Sequence, residues 1–188
     1  MRVLVACEFS GVVREAFRAL GHDAWSCDLL PAGDKSPFHI QSDALAVLDQ
    51  GWDLMIGHPP CTYLAASGAR WWPERLPQQW GAIQFVKALL AAPIPKIALE
   101  NPIGILSIEV GFPTQYIQPW QFGHGETKRT CLWLKNLPKL VPTNIVEERK
   151  PRTHLVSYKR DRWKERSRTL PGIAQAMAAQ WGHRPVIG

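Results

Sequence analysis

The sequence predicts an α/β domain with a doubly wound, mostly parallel sheet. Short apolar runs rich in valine, isoleucine and leucine alternate with stretches of helical spacing, in the order strand, helix, strand, helix, strand, helix, strand. Such an alternation favours parallel strands joined by right-handed crossovers. The chain has 188 residues and is 46% hydrophobic, which is enough for one domain with a substantial core, and we expect residues 1–188 to form it.

The first half of the predicted sheet comes from the N-terminal residues. Arg2 to Cys7 reads as a buried first strand, and Phe9-Ser10-Gly11 as the turn that follows it. The spacing from Val12 to Leu20 predicts a helix, which Gly21 ends. A second strand runs from Asp23 to Cys27 and is closed by Asp28.

The rest of the chain continues the alternation. The predicted elements are a short helix from Ala44 to Gln50, a strand from Asp53 to Ile56, a helix from Pro77 to Ala91, a strand from Lys96 to Leu99, strand-like stretches from Gln115 to Gln118 and Thr130 to Lys135, and a C-terminal helix from about Gly172 to Trp181.

The composition excludes several classes of protein. We find no signal peptide and no apolar stretch long enough to span a membrane, so a cytoplasmic protein is expected. The four cysteines are too widely spaced for a zinc site, and we expect no metal. Cys7, Cys27 and Cys131 lie in apolar runs and are interpreted as buried small side chains, which fits a reducing compartment.

The net charge of +6 is concentrated in one segment. Residues 149–168 hold nine of the 22 lysines and arginines, together with Tyr158 and Trp163. Such a segment fits a polyanionic partner or a phosphate-bearing substrate, with the aromatic rings stacking on bases. A solvated loop explains the same pattern equally well.

A cysteine stands in an unusually stiff position. Gly57 follows a buried apolar run, and Pro59 and Pro60 restrict the backbone just before Cys61. Because ligands bind at the carboxyl ends of strands in open α/β sheets, this position indicates a functional thiol.

A cofactor site is predicted beside the first two strands. Gly11 lets the first turn approach a ligand, and Asp28 ends the second strand where an acid commonly binds a ribose diol. Asp28 is equally well explained as a turn residue. Asp43 either contacts the base of the same ligand or caps the following helix, and the cap is the favoured reading.

A second polar pair follows the Ile97–Leu99 run. Glu100 and Asn101 then lie at a strand end next to that of Cys61, and a thiol beside an acid is a pair suited to covalent catalysis. His58 is too close to Cys61 in sequence to serve easily as its base.

These residues resemble the DNA cytosine-C5 methyltransferases. Phe9-Ser10-Gly11, Pro59-Pro60-Cys61 and Glu100-Asn101 occur in that family's order and spacing, and the likeness covers roughly residues 1–135. It implies a Rossmann-like methyltransferase fold and S-adenosylmethionine as cofactor. It also implies that Cys61 adds to cytosine C6 and that Glu100 holds the ring at N3.

The remaining site residues are predicted on the same basis. We assign Phe9, Ser10, Gly11, Asp28, Asp43 and Pro59 to the cofactor, and Pro60, Asn101 and Lys128 to the substrate. A basic residue near 130 would polarise the cytosine carbonyl, and Arg129 is preferred to Lys128.

The chain departs from the family in three places. The acid of the first motif falls on Cys7 or Glu8, Val13 replaces its last glycine, and Pro102 follows Glu100-Asn101. A separate target-recognition domain is also not expected in the remaining residues. The expected substrate is therefore a cytosine nucleotide, or DNA that is bound with weak sequence selectivity. Such a short enzyme would suit a phage or another mobile element in a bacterial host. The alternatives are a catalytically inactive nucleic-acid-binding module, or transfer to another pyrimidine or from a modified donor.

Overall fold

A seven-stranded sheet forms the centre of the protein. The structure is a computed structural model that describes residues 1–151 and 167–183. Its strands are β1 (Arg2–Ala6), β2 (Asp23–Asp28), β3 (His39–Gln41), β4 (Leu54–Gly57), β5 (Lys96–Pro102), β6 (Gln115–Ile117) and β8 (Thr130–Lys135). A separate two-stranded ladder pairs β7 (Glu126–Thr127) with β9 (Lys150–Pro151).

The sheet order is β3-β2-β1-β4-β5-β8-β6. The first five of these strands pair in parallel, whereas β8 lies antiparallel between β5 and β6. The order reverses between β1 and β4, so the ligand crevice of such a sheet opens at the carboxyl ends of these two strands. This is the Rossmann-like, doubly wound fold class predicted from the sequence.

Helices cover both faces of the sheet. They are α1 (Val12–Arg18), α2 (Leu76–Leu90), α3 (Leu106–Glu109) and α4 (Pro171–Trp181), with 3₁₀ turns at Ala44–Val47, Ala66–Arg75 and Pro119–Gln121. Alternating strand residues divide the core, because Leu4 and Met55 pack with α2 while Val5 and Ile56 pack with α1 and α4. None of the helices in the described ranges is both long and apolar enough to cross a membrane.

Several predicted boundaries were wrong, and contacts in the structure account for each difference. The helix predicted from Ala44 to Gln50 is one 3₁₀ turn, because Asp43 caps it and Trp52 donates to the Val47 carbonyl at 2.7 Å. The first helix stops at Arg18, and a turn through Gly21 follows. The strand predicted to end at Leu99 continues to Pro102, because Glu100 and Asn101 pair with β8.

The basic segment is described only at its two ends. Residues 152–166, including Tyr158 and Trp163, lie outside the described residues. The structure shows Arg149 above the Trp120 ring and Arg168 near the Phe9 ring, at 3.7 and 5.9 Å from the ring centroids.

Candidate active site

The loop after β4 carries the predicted thiol and the end of β5 carries the predicted carboxyl group, and several contacts join this loop to β5 and the loop that follows it. Gly57 of β4 is the register partner of Leu99 of β5, so the chain after Gly57 begins beside Glu100. The His58 ring nitrogen Nδ1 lies 3.2 Å from Glu100 Oε2. On the opposite face of β5, Asn101 Nδ2 donates to the Pro59 carbonyl at 2.8 Å.

The same two loops also meet beyond the cysteine. Leu64 and Ala65 donate to the Cys61 carbonyl at 3.0 and 2.9 Å, which closes a tight turn. Ile105 then donates to the Leu64 carbonyl at 2.9 Å. At Gly104 a Cβ atom would lie 1.8 Å from that carbonyl oxygen, so only glycine permits this approach. Side-chain contacts before Cys61 and backbone contacts after it therefore hold the loop on both sides of the cysteine.

The side chains of this half of the site differ in exposure. Cys61 and Pro60 are exposed, whereas Pro59 and Asn101 are buried. Asn101 and Pro59, predicted to touch substrate and cofactor, thus hold each other beneath the loop. Asn101 Oδ1 has no hydrogen-bond partner among the described residues.

Glu100 is a partly buried carboxylate held in its ionised form. Burial raises the pKa of Glu100, but the hydrogen bond to His58 and the charges of His58 and Lys128 outweigh burial and lower it. Lys128 lines a narrow cleft together with Glu100, whereas Arg129 is exposed and lies 5.7 Å from the Tyr116 ring centroid. Of the two basic residues considered from the sequence, the structure therefore places Lys128 beside Glu100.

The turn after β1 forms the other half of the site. The Glu8 carboxylate is buried and accepts hydrogen bonds from the backbone N–H groups of Val13 and Arg14, at 2.8 and 3.3 Å. Ser10 Oγ also donates to it at 3.2 Å. The positive end of α1 is thus satisfied by an acid of the protein itself.

The glycine of this turn has a packing role. Gly11 has a φ of +74°, and a Cβ there would lie 2.2 Å from the guanidinium of the buried Arg14. Arg14 in turn is bonded to Ser26 and Asp34. Phe9 is buried, at 8% exposure. Gly11 therefore makes room for Arg14, which the sequence interpretation did not foresee.

Two acids stand near the carboxyl edge of the sheet beside β2, namely Asp28 at the end of β2 and Asp43 after β3. Asp28 Oδ1 accepts from Leu30 N at 2.9 Å, and among the described residues its Oδ2 makes no hydrogen bond. Asp43 Oδ1 caps the following 3₁₀ turn through Leu45 N, at 2.9 Å. One oxygen of Asp28 therefore stabilises a turn, and one oxygen of Asp43 caps a helix, as the sequence analysis considered for each.

The remaining cysteines are poor nucleophiles. Burial, and then the charge of Asp28, raises the pKa of Cys7 far above its ordinary value and that of Cys27 to about 11. Burial, and then Glu100, raises the pKa of Cys131 to about 11. Cys27 and Cys131 are fully buried as expected, but Cys7 is only partly so and has a φ of +59°.

Sequence reasoning missed three contributors to the site. Glu8 was considered only as an alignment position, His58 only as a base for Cys61, and Arg168 only as part of a basic run. His58 lies in a loop made rigid by two prolines, and a titratable side chain at such a place is the signal that could have revealed it. Within the described ranges no three histidine, cysteine, aspartate or glutamate side chains gather as metal ligands would.

Comparison with known proteins gives little further information. No known protein family matches the chain, and no curated protein matches it. Among solved structures it resembles an E. coli protein described as a "putative DNA modification methyltransferase encoded within prophage", with 15% identity and a TM-score of 0.49. The match covers 78% of this chain and 52% of that one, so this chain spans about half its length. At that distance, function has to be argued from the site itself.

Proposed function

We propose that this protein is an S-adenosylmethionine-dependent methyltransferase that methylates cytosine at C5 through a covalent bond between Cys61 and C6. The observation that carries the proposal is the joining of the Cys61 loop to β5. An exposed thiol and an ionised carboxylate share one framework, through His58–Glu100 and Asn101–Pro59, at the carboxyl edge of the sheet. Covalent attack on a ring needs this fixed relation between nucleophile and ring-holding group.

The crevice beside β1 fits a nucleoside cofactor without phosphate. Dinucleotide-binding folds hold a pyrophosphate on free N–H groups at the first helix. Here Glu8 already accepts from the Val13 and Arg14 N–H groups, and its charge would repel a phosphate. S-adenosylmethionine carries no phosphate and, when bound, supplies an electrophilic methyl group. Asp28, with Oδ2 available among the described residues, would hold its ribose, and Asp43 and Phe9 would border its base.

Cys61 makes cytosine C5 reactive. Its thiolate forms a bond to C6, and the electron pair of the C5–C6 double bond moves to C5, which can then accept a methyl group. Loss of the C5 proton to a base restores the double bond and expels the thiolate. The stiff loop limits the sulfur to one direction of approach.

Glu100 would stabilise the ring during this addition. A carboxylate accepts a hydrogen bond from the cytosine amino group, and it attracts a proton at N3 as addition makes that nitrogen more basic. His58 holds Oε2, which orients the carboxylate. By the family resemblance, Arg129 would bind the ring carbonyl oxygen.

The substrate is cytosine in a nucleotide or in DNA, and one experiment tests both. The purified chain would be given S-adenosylmethionine with cytidine nucleotides, single-stranded DNA or duplex DNA, and the products analysed by mass spectrometry. We expect a gain of one methyl group on cytosine with at least one of these substrates. Cytosine binding without transfer would instead favour the inactive binding module.

A trapping experiment tests the covalent step. With 5-fluorocytosine in the accepted substrate, C5 has no proton to lose, so the wild-type protein should stall as an adduct visible by intact mass. Cys61→Ser should form none. An adduct on another residue would rule out Cys61 as the nucleophile.

A further inference from the structure

A narrow cleft lies beside Glu100 and brings together distant parts of the chain. Strand β5, the β7–β8 turn and the segment just before α4 form its walls. Its polar lining residues are Glu100, Lys128, Thr130, Ser167, Arg168 and Thr169. The end of the basic segment thus reaches the group proposed to hold the pyrimidine ring.

In the part of the chain that the structure describes, the lining of this cleft carries more positive than negative charge. Two cations, Lys128 and Arg168, line it together with one carboxylate from the described ranges, Glu100. Among the residues that the structure describes, Arg168 forms no salt bridge, and its guanidinium lies 5.9 Å from the Phe9 ring centroid. A cation so placed is suited to an anionic ligand.

The side chains, and not the end of α4, supply this charge. Pro171 has no N–H group, Gly172 N donates to His124 Nε2 at 3.0 Å, and Ile173 and Ala174 donate to the Leu170 carbonyl. The backbone donors of the first turn are therefore already used. The side chains that line the cleft are therefore the groups that a ligand would meet there.

We propose that Arg168 and Lys128, with the hydroxyls of Ser167 and Thr169, bind a phosphate group of the substrate. The guanidinium presents paired N–H donors that match phosphate oxygens, and the ammonium adds a point charge. That the phosphate belongs to a pyrimidine nucleotide rests on the proposed function, since Glu100 lies in the same cleft. The phosphate is either the monoester of a free nucleotide or a diester in DNA.

Calorimetric titration of the whole chain tests this assignment. The ligands are deoxycytidine, deoxycytidine monophosphate, deoxyuridine monophosphate and a short single-stranded oligonucleotide with one cytosine. We expect the phosphate to improve affinity for the nucleotide over the nucleoside by about tenfold. Arg168→Gln should remove most of that advantage and leave deoxycytidine binding within about twofold, and Arg168→Lys should retain part of it.

A matched control removes one positive charge elsewhere. Lys139 is exposed and follows β8 beyond the amino end of β5. Lys139→Gln should preserve the full phosphate advantage, and thermal unfolding would verify that both variants are folded. If Lys139→Gln lost the phosphate advantage to the same extent, the effect would come from the overall positive charge of the protein, and the proposal would be overturned.

The remaining outcomes separate the two levels of the argument. A wild type in which neither the nucleotide nor the oligonucleotide binds better than the nucleoside, or an equal loss for nucleoside and nucleotide in Arg168→Gln, would overturn the phosphate site. An Arg168-dependent advantage that is the same for cytosine and uracil nucleotides supports the phosphate site and counts against the proposed cytosine chemistry. A loss confined to the nucleotide identifies a monoester, and a loss confined to the oligonucleotide identifies a backbone diester.

Discussion

The two halves of the carboxyl edge of the sheet are built differently. Beside β1 and β2, the turn is closed on itself, because Glu8 satisfies the start of α1, and the acid Asp28 stands at the end of β2. Beside β4 and β5, two loops support each other and leave a thiol exposed. The first half is suited to hold a neutral or cationic ligand, and the second to react.

The cysteines of the two halves make the contrast specific. Cys7 follows β1 and Cys61 follows β4, so both stand near the point where the strand order reverses. Burial and the charge of Asp28 suppress ionisation of Cys7, while Cys61 is exposed. Position at the edge of the sheet is therefore not enough to make a nucleophile, and the local charge and burial decide.

Replacing each of the two cysteines by serine should give the largest difference in methyl transfer. We expect Cys61→Ser to reduce methyl transfer by at least about a thousandfold, because a hydroxyl is a far weaker nucleophile at neutral pH. The isosteric Cys7→Ser should change it by less than a few-fold. Transfer from labelled S-adenosylmethionine measures both, and comparable losses would remove the contrast between the halves.

A single added carbon atom should disrupt the contact between the two loops. Gly104→Ala brings a Cβ against the Leu64 carbonyl oxygen, and we expect a loss of about 2–4 kcal/mol in the free energy of unfolding. Gly81→Ala in α2 meets nothing within 4 Å and should stabilise the protein by about 0.5–1 kcal/mol. Urea denaturation compares the two. An unperturbed Gly104→Ala variant would mean that the loops are not closely held.

The cofactor half can be tested through its acids. S-adenosylhomocysteine should raise the melting temperature of the wild type, since it binds the folded state. Asp28→Ala should weaken binding by about 1.5–3 kcal/mol through loss of a charge-assisted hydrogen bond to the ribose. Asp43→Ala serves as the comparison. A larger loss of binding in Asp43→Ala would mean that Asp43, and not Asp28, contacts the ribose.

Removal of His58 should give the smallest effect, and one that depends on pH. The pKa of Glu100 is lowered in the folded protein, so its contribution to stability is present above its ordinary pKa and is lost as pH falls through the folded pKa. In His58→Leu, Glu100 loses the hydrogen bond and charge that oppose the effect of its burial, so the pKa of Glu100 rises. We expect a loss of about 1–2 kcal/mol at about pH 7 and a smaller loss at about pH 3.5, below the ordinary pKa of a glutamate, where Glu100 is increasingly protonated.

Asparagine at the same position provides the control. Its amide can still donate to Glu100, so His58→Asn should lose less stability than His58→Leu and show a weaker pH dependence. Urea denaturation at both pH values measures the difference. A loss independent of pH in His58→Leu would show that His58 acts by packing alone.

Local sequence patterns predicted much of the fold and the edge that carries the site. Periodicity located β1, α1, β4 and α2, and strand ends pointed to Cys61 and Glu100. These elements depend on residues close together in sequence. Their side-chain alternation is dictated by burial on both faces of the sheet.

Features that depend on distant residues were not predicted. Pairing with β8 lengthens β5 through Glu100 and Asn101, and no local pattern shows that pairing. Arg168 and Phe9 come together from opposite ends of the chain. The buried Arg14 that fills the space above Gly11 likewise depends on Ser26 and Asp34. The placement of the candidate residues at one edge of the sheet was thus predictable, but the contacts that support them were not.

The antiparallel placement of β8 has a consequence for the order of assembly. Strand β5 carries Glu100, yet one of its two neighbours comes from residues 130–135, later in the chain than β6. Until those residues leave the ribosome, β5 is an unprotected apolar edge able to pair with another chain. Closing the sheet also requires a long loop to form first, which slows folding. The strand that bears Glu100, the carboxylate proposed to hold the ring, is therefore exposed to aggregation during synthesis.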